Sequence, residues 1–229
     1  MTASTTTGFR ILASPPRPAE HLLAAFAKLP TSNISDNMAR HYGAGARLRP
    51  YHRGGTLIGP AFTVKTRAGD NLLTHKAIDM AAPGDVILVD AGGGLDHAII
   101  GEIMSSLAKK RGVAGIVIDG AIRDVDAIGA NDFPVYACGV THRGPYKDGP
   151  GEINVTVSIA GMVVNPGDII VGDGDGVVAI PQAEAERVLA LTIAQKEKEE
   201  GVLAAIASGK PVDRSWVDKM LRDKGCALP

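Results

Sequence analysis

Apolar residues along this chain recur with two different periods, and the change from one to the other marks out the elements. Residues 56–67 alternate and are rich in β-branched side chains, which predicts a strand. Residues 86–89, Val-Ile-Leu-Val, are an apolar run without alternation, the pattern of a strand buried on both faces. A helix follows over 100–111, with Ile100, Ile103, Met104 and Leu107 at the i, i+3, i+4, i+7 positions of a core-facing stripe. Glu102 in its first turn and Lys109, Lys110 and Arg111 in its last complement the helix dipole. Gly112 suits the left-handed residue just beyond its end. Residues 115–119 form a second buried strand. Strand, helix and strand in this order make a βαβ unit with parallel strands and a right-handed crossover.

Around this unit the pattern is more ordinary. Residues 20–29 read as a short amphipathic helix stopped by Pro30, and residues 31–36 offer several helix caps. Residues 69–71 are a turn and 72–80 a helix. Strands are predicted at 134–137, 153–159, 162–164, 169–171 and 177–180, separated by Gly-rich turns. A long helix covers 183–207, and its middle, 195–200, is strongly charged. Ala-Pro-Gly-Asp at 82–85 and Asn-Pro-Gly-Asp at 165–168 each lead into an apolar strand. Pro-Gly suits a type II turn, with Gly supplying the positive φ. No break in composition marks a second domain. The chain therefore reads as one α/β domain over 1–229, with an extended Pro-rich lead-in at 1–18 and a C-terminal helical arm at 183–229.

Of the 229 residues 45% are hydrophobic but only 4% aromatic, so the core must be Val, Ile, Leu and Ala. That favours parallel strands covered by helices. A net charge of −1 without a basic patch weighs against nucleic acid as a partner. The apolar runs are too short to cross a bilayer, and the Thr-rich residues 1–10 lack a signal-peptide core. The two cysteines, Cys138 and Cys226, have no framework spacing. A cytoplasmic setting is expected.

Ligands of open α/β sheets bind beyond the carboxyl ends of the strands. Here that rule brings the helix start at 101–104 beside residues 120–124, so Glu102, Arg123 and Asp124 become neighbours. Free helix N–H groups receive anions, and an arginine adds a fixed fork for carboxylate or enolate oxygen. Two carboxylates without Cys or His partners suit a hard cation, Mg²⁺ or Mn²⁺, that keeps several waters. A plainer alternative stays open: Arg123-Asp124 as a helix cap with a surface ion pair, and Glu102 as a dipole partner only.

Other signals are weaker. Asp173-Gly174-Asp175-Gly176, with Glu184 at the twelfth place, has the outline of a calcium loop. Val177 and Val178 occupy places such a loop reserves for other residues, so a hairpin turn fits better. Gly92-Gly93-Gly94 fails as a dinucleotide fingerprint because His97 stands where its third glycine belongs. No Walker loop, nucleophile elbow or zinc-spaced cluster is present. Cys138 and His142 make a poor nucleophile pair. His75, Lys65 and Lys147, each taken alone, read as ordinary helix, strand and loop residues.

Glu102, twenty intervening residues and then Arg123-Asp124 match the signature of a known family. Further matching segments are 35–37, 69–72, 92–95, 115–120, 144–154 and 165–168, so the likeness spans most of the chain. The sequence resembles the RraA-like proteins and, within them, the class II pyruvate aldolases. Those enzymes cleave 4-hydroxy-4-methyl-2-oxoglutarate and 4-carboxy-4-hydroxy-2-oxoadipate. The loop at 144–154 is closer to the aldolases than to the RNA-degradation regulators, and Glu102 varies from the more usual aspartate.

The resemblance implies a layered β/β/α fold of the swivelling type, assembled as trimers or dimers of trimers. It implies that Asp124 ligates Mg²⁺ or Mn²⁺ directly, while Glu102 and Glu199 act through water, Glu199 from a neighbouring subunit. Arg123 would hold the keto or enolate oxygen, and the backbone of Gly101, Glu102, Ile103 and Met104 the pyruvate carboxylate. Asn71, His75 and Lys147 would reach the rest of the substrate. The expected activity is retro-aldol cleavage to pyruvate and a second keto acid, within aromatic-compound catabolism, with oxaloacetate decarboxylation as a side reaction. Rival expectations are a non-enzymatic regulator that binds a ribonuclease, and a Schiff-base aldolase using Lys65 or Lys147. An older family label, quinone methyltransferase, lacks a supporting glycine motif here.

Overall fold

The structure, a computed structural model, describes residues 6–228. The described residues as far as Thr192 form one compact unit, and those from Ile193 onward form a second. Of the lead-in, residues 1–5 lie outside the described range. The strands are β1 (Arg10–Ile11), β2 (Arg49–Pro50), β3 (Leu57–Thr66), β4 (Val86–Asp90), β5 (Ala98–Ile100) and β6 (Gly115–Ile122). They continue with β7 (Val135–Val140), β8 (Gly151–Ile153), β9 (Val157–Ile159), β10 (Met162–Val164), β11 (Ile169–Gly172) and β12 (Val177–Ile180). The helices are α1 (Glu20–Phe26), α2 (Thr31–Asp36), α3 (Leu72–Met80), α4 (Glu102–Lys110), α5 (Val125–Gly129), α6 (Ala185–Ala207) and α7 (Ser215–Asp223).

The main sheet of the first unit runs β1-β8-β3-β4-β6-β7-β2. Its centre is parallel: β3 with β4, β4 with β6, and β6 with β7. Val86 pairs with Gly115 and Asp90 with Asp119, so the expected βαβ unit is β4-α4-β6. Side chains alternate between two cores. Ile87, Val89, Ile116 and Ile118 face a cluster with Ile78, Met104 and Ile128 from the helices. Val86, Leu88 and Val117 face the opposite cluster, which includes Val157, Ile159, Met162 and Val164 of the β9–β10 hairpin. Both faces are apolar because both are covered, which is why the runs show no alternation in sequence. The first half of β3, Leu57–Pro60, pairs instead with β11, which forms a hairpin with β12. A third cluster packs α1, Ile34 and the start of α6 on that hairpin. The unit is therefore a layered β/β/α domain.

Local chemistry explains several boundaries. Gly84 and Gly167 take φ of 84° and 85° in the two Pro-Gly turns. The following aspartates accept backbone N–H groups, Asp85 from Ala82 and Asp168 from Asn165, each at 2.8 Å. Gly112 closes α4 at φ 81°.

Four expectations need correction. The stripe assigned to α4 has the wrong phase: Met104, Ser105 and Ala108 are buried, whereas Ile103 is 80% exposed. Ile100 is buried in β5, not in the helix. Ser105 and Ala108 are small, so the helix packs through a face that a count of large apolar residues overlooks. Residues 31–36 are not caps but the helix α2, whose Thr31 N–H and hydroxyl donate to Asp173 at 2.9 and 2.7 Å. The predicted strand 153–159 is broken into β8 and β9 at Asn154, which takes a left-handed φ of 59°. The expected helical arm at 183–229 holds a second helix, α7, after α6.

In the second unit, the charged middle of α6 is laced along one helix face. Gln195 donates to Glu199 at 2.8 Å, and Lys196 pairs with Glu200. Among the described residues no helix is long and apolar enough to cross a membrane.

Candidate active site

The site grows from the exit of β6. Asp124 has left-handed backbone angles, φ 57° and ψ 38°. That conformation costs a non-glycine residue on the order of 1 kcal/mol, least for Asp and Asn. Although Asp124 directly precedes α5, its side chain makes no capping bond to that helix. It turns instead to α4, and its Oδ2 accepts the Glu102 N–H at 3.0 Å. Asp124 thus serves the start of α4 and not that of α5. One free N–H at the start of α4 is already taken by this carboxylate, which leaves those of Ile103 and Met104 for an outside anion. Arg123 Nε stands 3.6 Å from Asp124 Oδ2, an ion pair without a hydrogen bond between two partly exposed side chains.

The facing elements are α3 and the loop 144–150, joined by the buried Asp70. Asp70 accepts N–H groups from Leu72 at 3.0 Å, Asp148 at 2.7 Å and Gly149 at 2.9 Å. Burial works to raise the Asp70 pKa, but these donors and the nearby Arg67 outweigh it and hold the carboxyl below its usual range. Tyr146 N–H donates to the Gly69 carbonyl, and the Asn71 N–H to the Tyr146 carbonyl. The loop is thus stitched to the start of α3, which places Lys147 beside His75. Burial, then the charge of Lys147, lowers the His75 pKa against the opposing pull of Asp79, so the imidazole is neutral at pH 7. Asn71 donates its amide N–H to the Ile99 carbonyl at 2.9 Å, while its buried Oδ1 has no hydrogen-bond partner among the described residues.

These pieces line one cavity of about 200 Å³. Asn71, His75, Gly101, Ile103, Met104, Arg123, Asp124 and Lys147, all singled out in the sequence, border it. Ile99, Ile100 and Pro145 border it too and were not foreseen, nor was the organising role of Asp70. An Asp two residues before a helix, with an amide donor from the first turn, is a capping signal that could have pointed to Asp70. The volume suits a small acid and is below the usual range for drug-sized ligands.

Other candidates do not line the cavity. The Glu102 side chain is exposed and does not line it; only its backbone joins the site. Glu199 belongs to the second unit. Lys65 is exposed on β3 and does not line the cavity. The Cys138 thiol donates to Asp119 at 3.3 Å, and burial, with Asp119, pushes its pKa up to about 12, so it is no nucleophile at neutral pH. The Asp173 carboxylate is committed to Thr31 and Asp175 in the β11–β12 turn. Among the described residues no three His, Cys, Asp or Glu side chains cluster to enclose a metal. Among the described residues, Asp124 is the one carboxylate on the cavity wall, and the Glu102 N–H is bound by its Oδ2. A single carboxylate suits a hard cation that retains waters, not an enclosed Zn²⁺.

Comparison with known proteins settles the lineage. Residues 31–179 match the family model described as RraA-like, Aldolase/RraA. The chain belongs to the RraA-like family. A protein of Halalkalibacterium halodurans named "Putative 4-hydroxy-4-methyl-2-oxoglutarate aldolase" is 39% identical over 87% of this chain and 95% of its own. An uncharacterized protein from Pseudomonas syringae pv. tomato has a similar structure, with a TM-score of 0.75 at 28% identity, covering 86% of this chain and 97% of the other. The RNA-processing inhibitor RraA of Thermus thermophilis aligns with a TM-score of 0.62 at 27% identity, over 67% of this chain and 93% of its own. The RraA-like fold is therefore shared by relatives named as aldolases and by one named as an inhibitor.

Proposed function

We propose that this RraA-like protein is a cytoplasmic, divalent-metal-dependent aldolase. Its substrate would be 4-hydroxy-4-methyl-2-oxoglutarate or 4-carboxy-4-hydroxy-2-oxoadipate, cleaved to pyruvate and a second keto acid. The observation that carries the reading is the grouping of Arg123, the carboxylate of Asp124 and the N–H groups that open α4 at one small cavity. Asp124 would hold Mg²⁺ or Mn²⁺, with Glu102 reaching the ion's waters. Bound there, the cation would supply positive charge beside the substrate's keto oxygen.

The chain's own groups then divide the work. The Ile103 and Met104 N–H groups receive the carboxylate of the 2-keto acid end. Arg123 donates to the keto oxygen. Glu102, whose exposed side chain lies off the cavity wall, would orient a water that takes the proton of the C4 hydroxyl. The C3–C4 bond breaks, its electron pair forms the enolate of pyruvate, and C4 becomes the carbonyl of the second product. Arg123 stabilises the enolate oxygen as its charge develops. A proton returned to C3 releases pyruvate. Oxaloacetate decarboxylation would pass through the same enolate. Lys147, Asn71 and His75 face the distal part of the substrate.

The deciding experiment is a coupled pyruvate-release assay across such acids, with chelator and with Mg²⁺ or Mn²⁺ restored. Release should vanish in chelator and return with metal. Full activity in chelator, or a borohydride-trapped adduct at Lys65 or Lys147, would overturn the enolate account. No release from any acid, with metal present, would favour a regulator that binds a ribonuclease. Glu199 enters this reading from a neighbouring subunit of a trimer or dimer of trimers. Sedimentation with parallel assays checks it: an active dissociated subunit would remove Glu199 from a shared site.

A further inference from the structure

Residues preceding the matched family segment lie against the loop that carries Lys147. β1 runs parallel to β8, with Arg10 opposite Glu152 and Ile11 opposite Ile153. Leu12 N–H donates to the Ile153 carbonyl at 3.1 Å. The Asn154 side-chain amide donates back to the Leu12 carbonyl and to Ser14 Oγ, both at 3.1 Å. Arg10 Nε lies 2.6 Å from Glu152 Oε1, and Glu152 is only 8% exposed. The Phe9 ring lies near the loop itself: a β-carbon built on Gly149 would come within 3.6 Å of it.

These contacts have a mechanical meaning. β8 is three residues long, and apart from β1 it pairs only with β3. So short a strand is held weakly by a single neighbour. It is also the downstream anchor of loop 144–150, whose Tyr146, Asp148 and Gly149 are held by Gly69, Asn71 and Asp70. Without Arg10 the nearly buried Glu152 carboxylate would lose its counter-charge and favour an opened arrangement.

We propose that residues 9–14 form a strap that holds the Lys147 loop over the cavity. Arg10 and Phe9 are then positioning residues for recognition of the substrate's distal end. The strap stands on the contacts above; only the identity of the ligand end it serves rests on the aldolase reading.

The test compares wild type, Arg10→Ala, Arg10→Lys and Phe9→Ala as full chains. Phe9 is 58% exposed, so its replacement does not threaten folding. Amide hydrogen exchange at Asp148 and Gly149 should quicken about tenfold or more in Arg10→Ala and less in Phe9→Ala, with α4 amides unchanged. Arg10→Lys should restore most of the protection. For the diacid, Arg10→Ala should raise KM about fivefold and leave kcat within about twofold, and oxaloacetate decarboxylation should barely change. Lys147→Ala should raise the diacid KM by itself, and adding Arg10→Ala to it should have no further effect. Unchanged exchange at Asp148 and Gly149 in both variants would overturn the strap. So would faster exchange spread evenly over the domain, or additive KM effects in the double variant. If the wild type releases no pyruvate, the aldolase reading fails, while the exchange data still decide the strap.

Discussion

Arg123→Ala should lower kcat by about 10²–10³ with a much smaller change in KM, the usual cost of removing one oxyanion donor. The Arg123 side chain is 41% exposed and its Nε stands 3.6 Å from the Asp124 carboxylate, so this ion pair contributes little to stability. Arg123 lines the cavity, and its charge matters most when the keto oxygen becomes an enolate oxygen. An interaction stronger in the transition state than in the ground state appears in kcat, not in KM. Truncation leaves the Asp124 carboxylate on the Glu102 N–H, so the rest of the site should survive. Arg123→Lys should recover only part of the rate, since a point charge lacks the planar fork. Steady-state kinetics with saturating Mg²⁺ provide the check, and a wild-type kcat in Arg123→Ala would take this residue out of the mechanism.

Gly101→Ala should be nearly as damaging, although Gly101 carries no functional group. Its φ of −146° is open to alanine, so the backbone is not the obstacle. The obstacle is space: the new β-carbon would stand 2.2 Å from Asp124 Oδ2 and 2.9 Å from Arg123 Cγ. Asp124 would have to leave the Glu102 N–H, and Arg123 would shift with it. Displacing catalytic groups by about 1 Å commonly costs about 10²-fold in rate, and a loss of that order in kcat/KM is expected. The thermal midpoint should stay close to wild type, because both displaced side chains are partly exposed. Weaker Mn²⁺ binding, measured directly by titration, should accompany the lost rate. Wild-type kinetics and Mn²⁺ affinity in Gly101→Ala would show that the close approach of Asp124 to α4 has no part in the chemistry.

Both variants act where sequence reasoning and structure meet, and the site shows how far each reaches. The right-handed crossover rule was enough to bring 101–104 beside Arg123-Asp124, because a parallel βαβ unit always sets its helix start near the exit of a strand. It could not say that Asp124 adopts a left-handed turn, or that its carboxylate occupies the Glu102 N–H. That choice depends on the approach of two backbones around Gly101. Nor could a local pattern reveal that Asp70 holds Asp148, 78 residues away, and so places Lys147.

The same division runs through the fold. The chain's own pattern determined the buried strands at Val86–Val89 and Ile116–Ile118, the bounds of α3 and the two Pro-Gly-Asp turns. Each follows from side-chain period or from the φ that glycine alone reaches cheaply, and both are properties of a few adjacent residues. Tertiary structure decided the phase of α4, where small Ser105 and Ala108 face inward and Ile103 faces out. It decided that residues 31–36 coil into a helix, because Asp173 supplies the cap from 142 residues away. It decided that the chain turns at Asn154, whose amide is held by Leu12 and Ser14. In these places the local preferences are nearly balanced, and a hydrogen bond or close contact from a distant segment, of order 1 kcal/mol, is enough to choose between them.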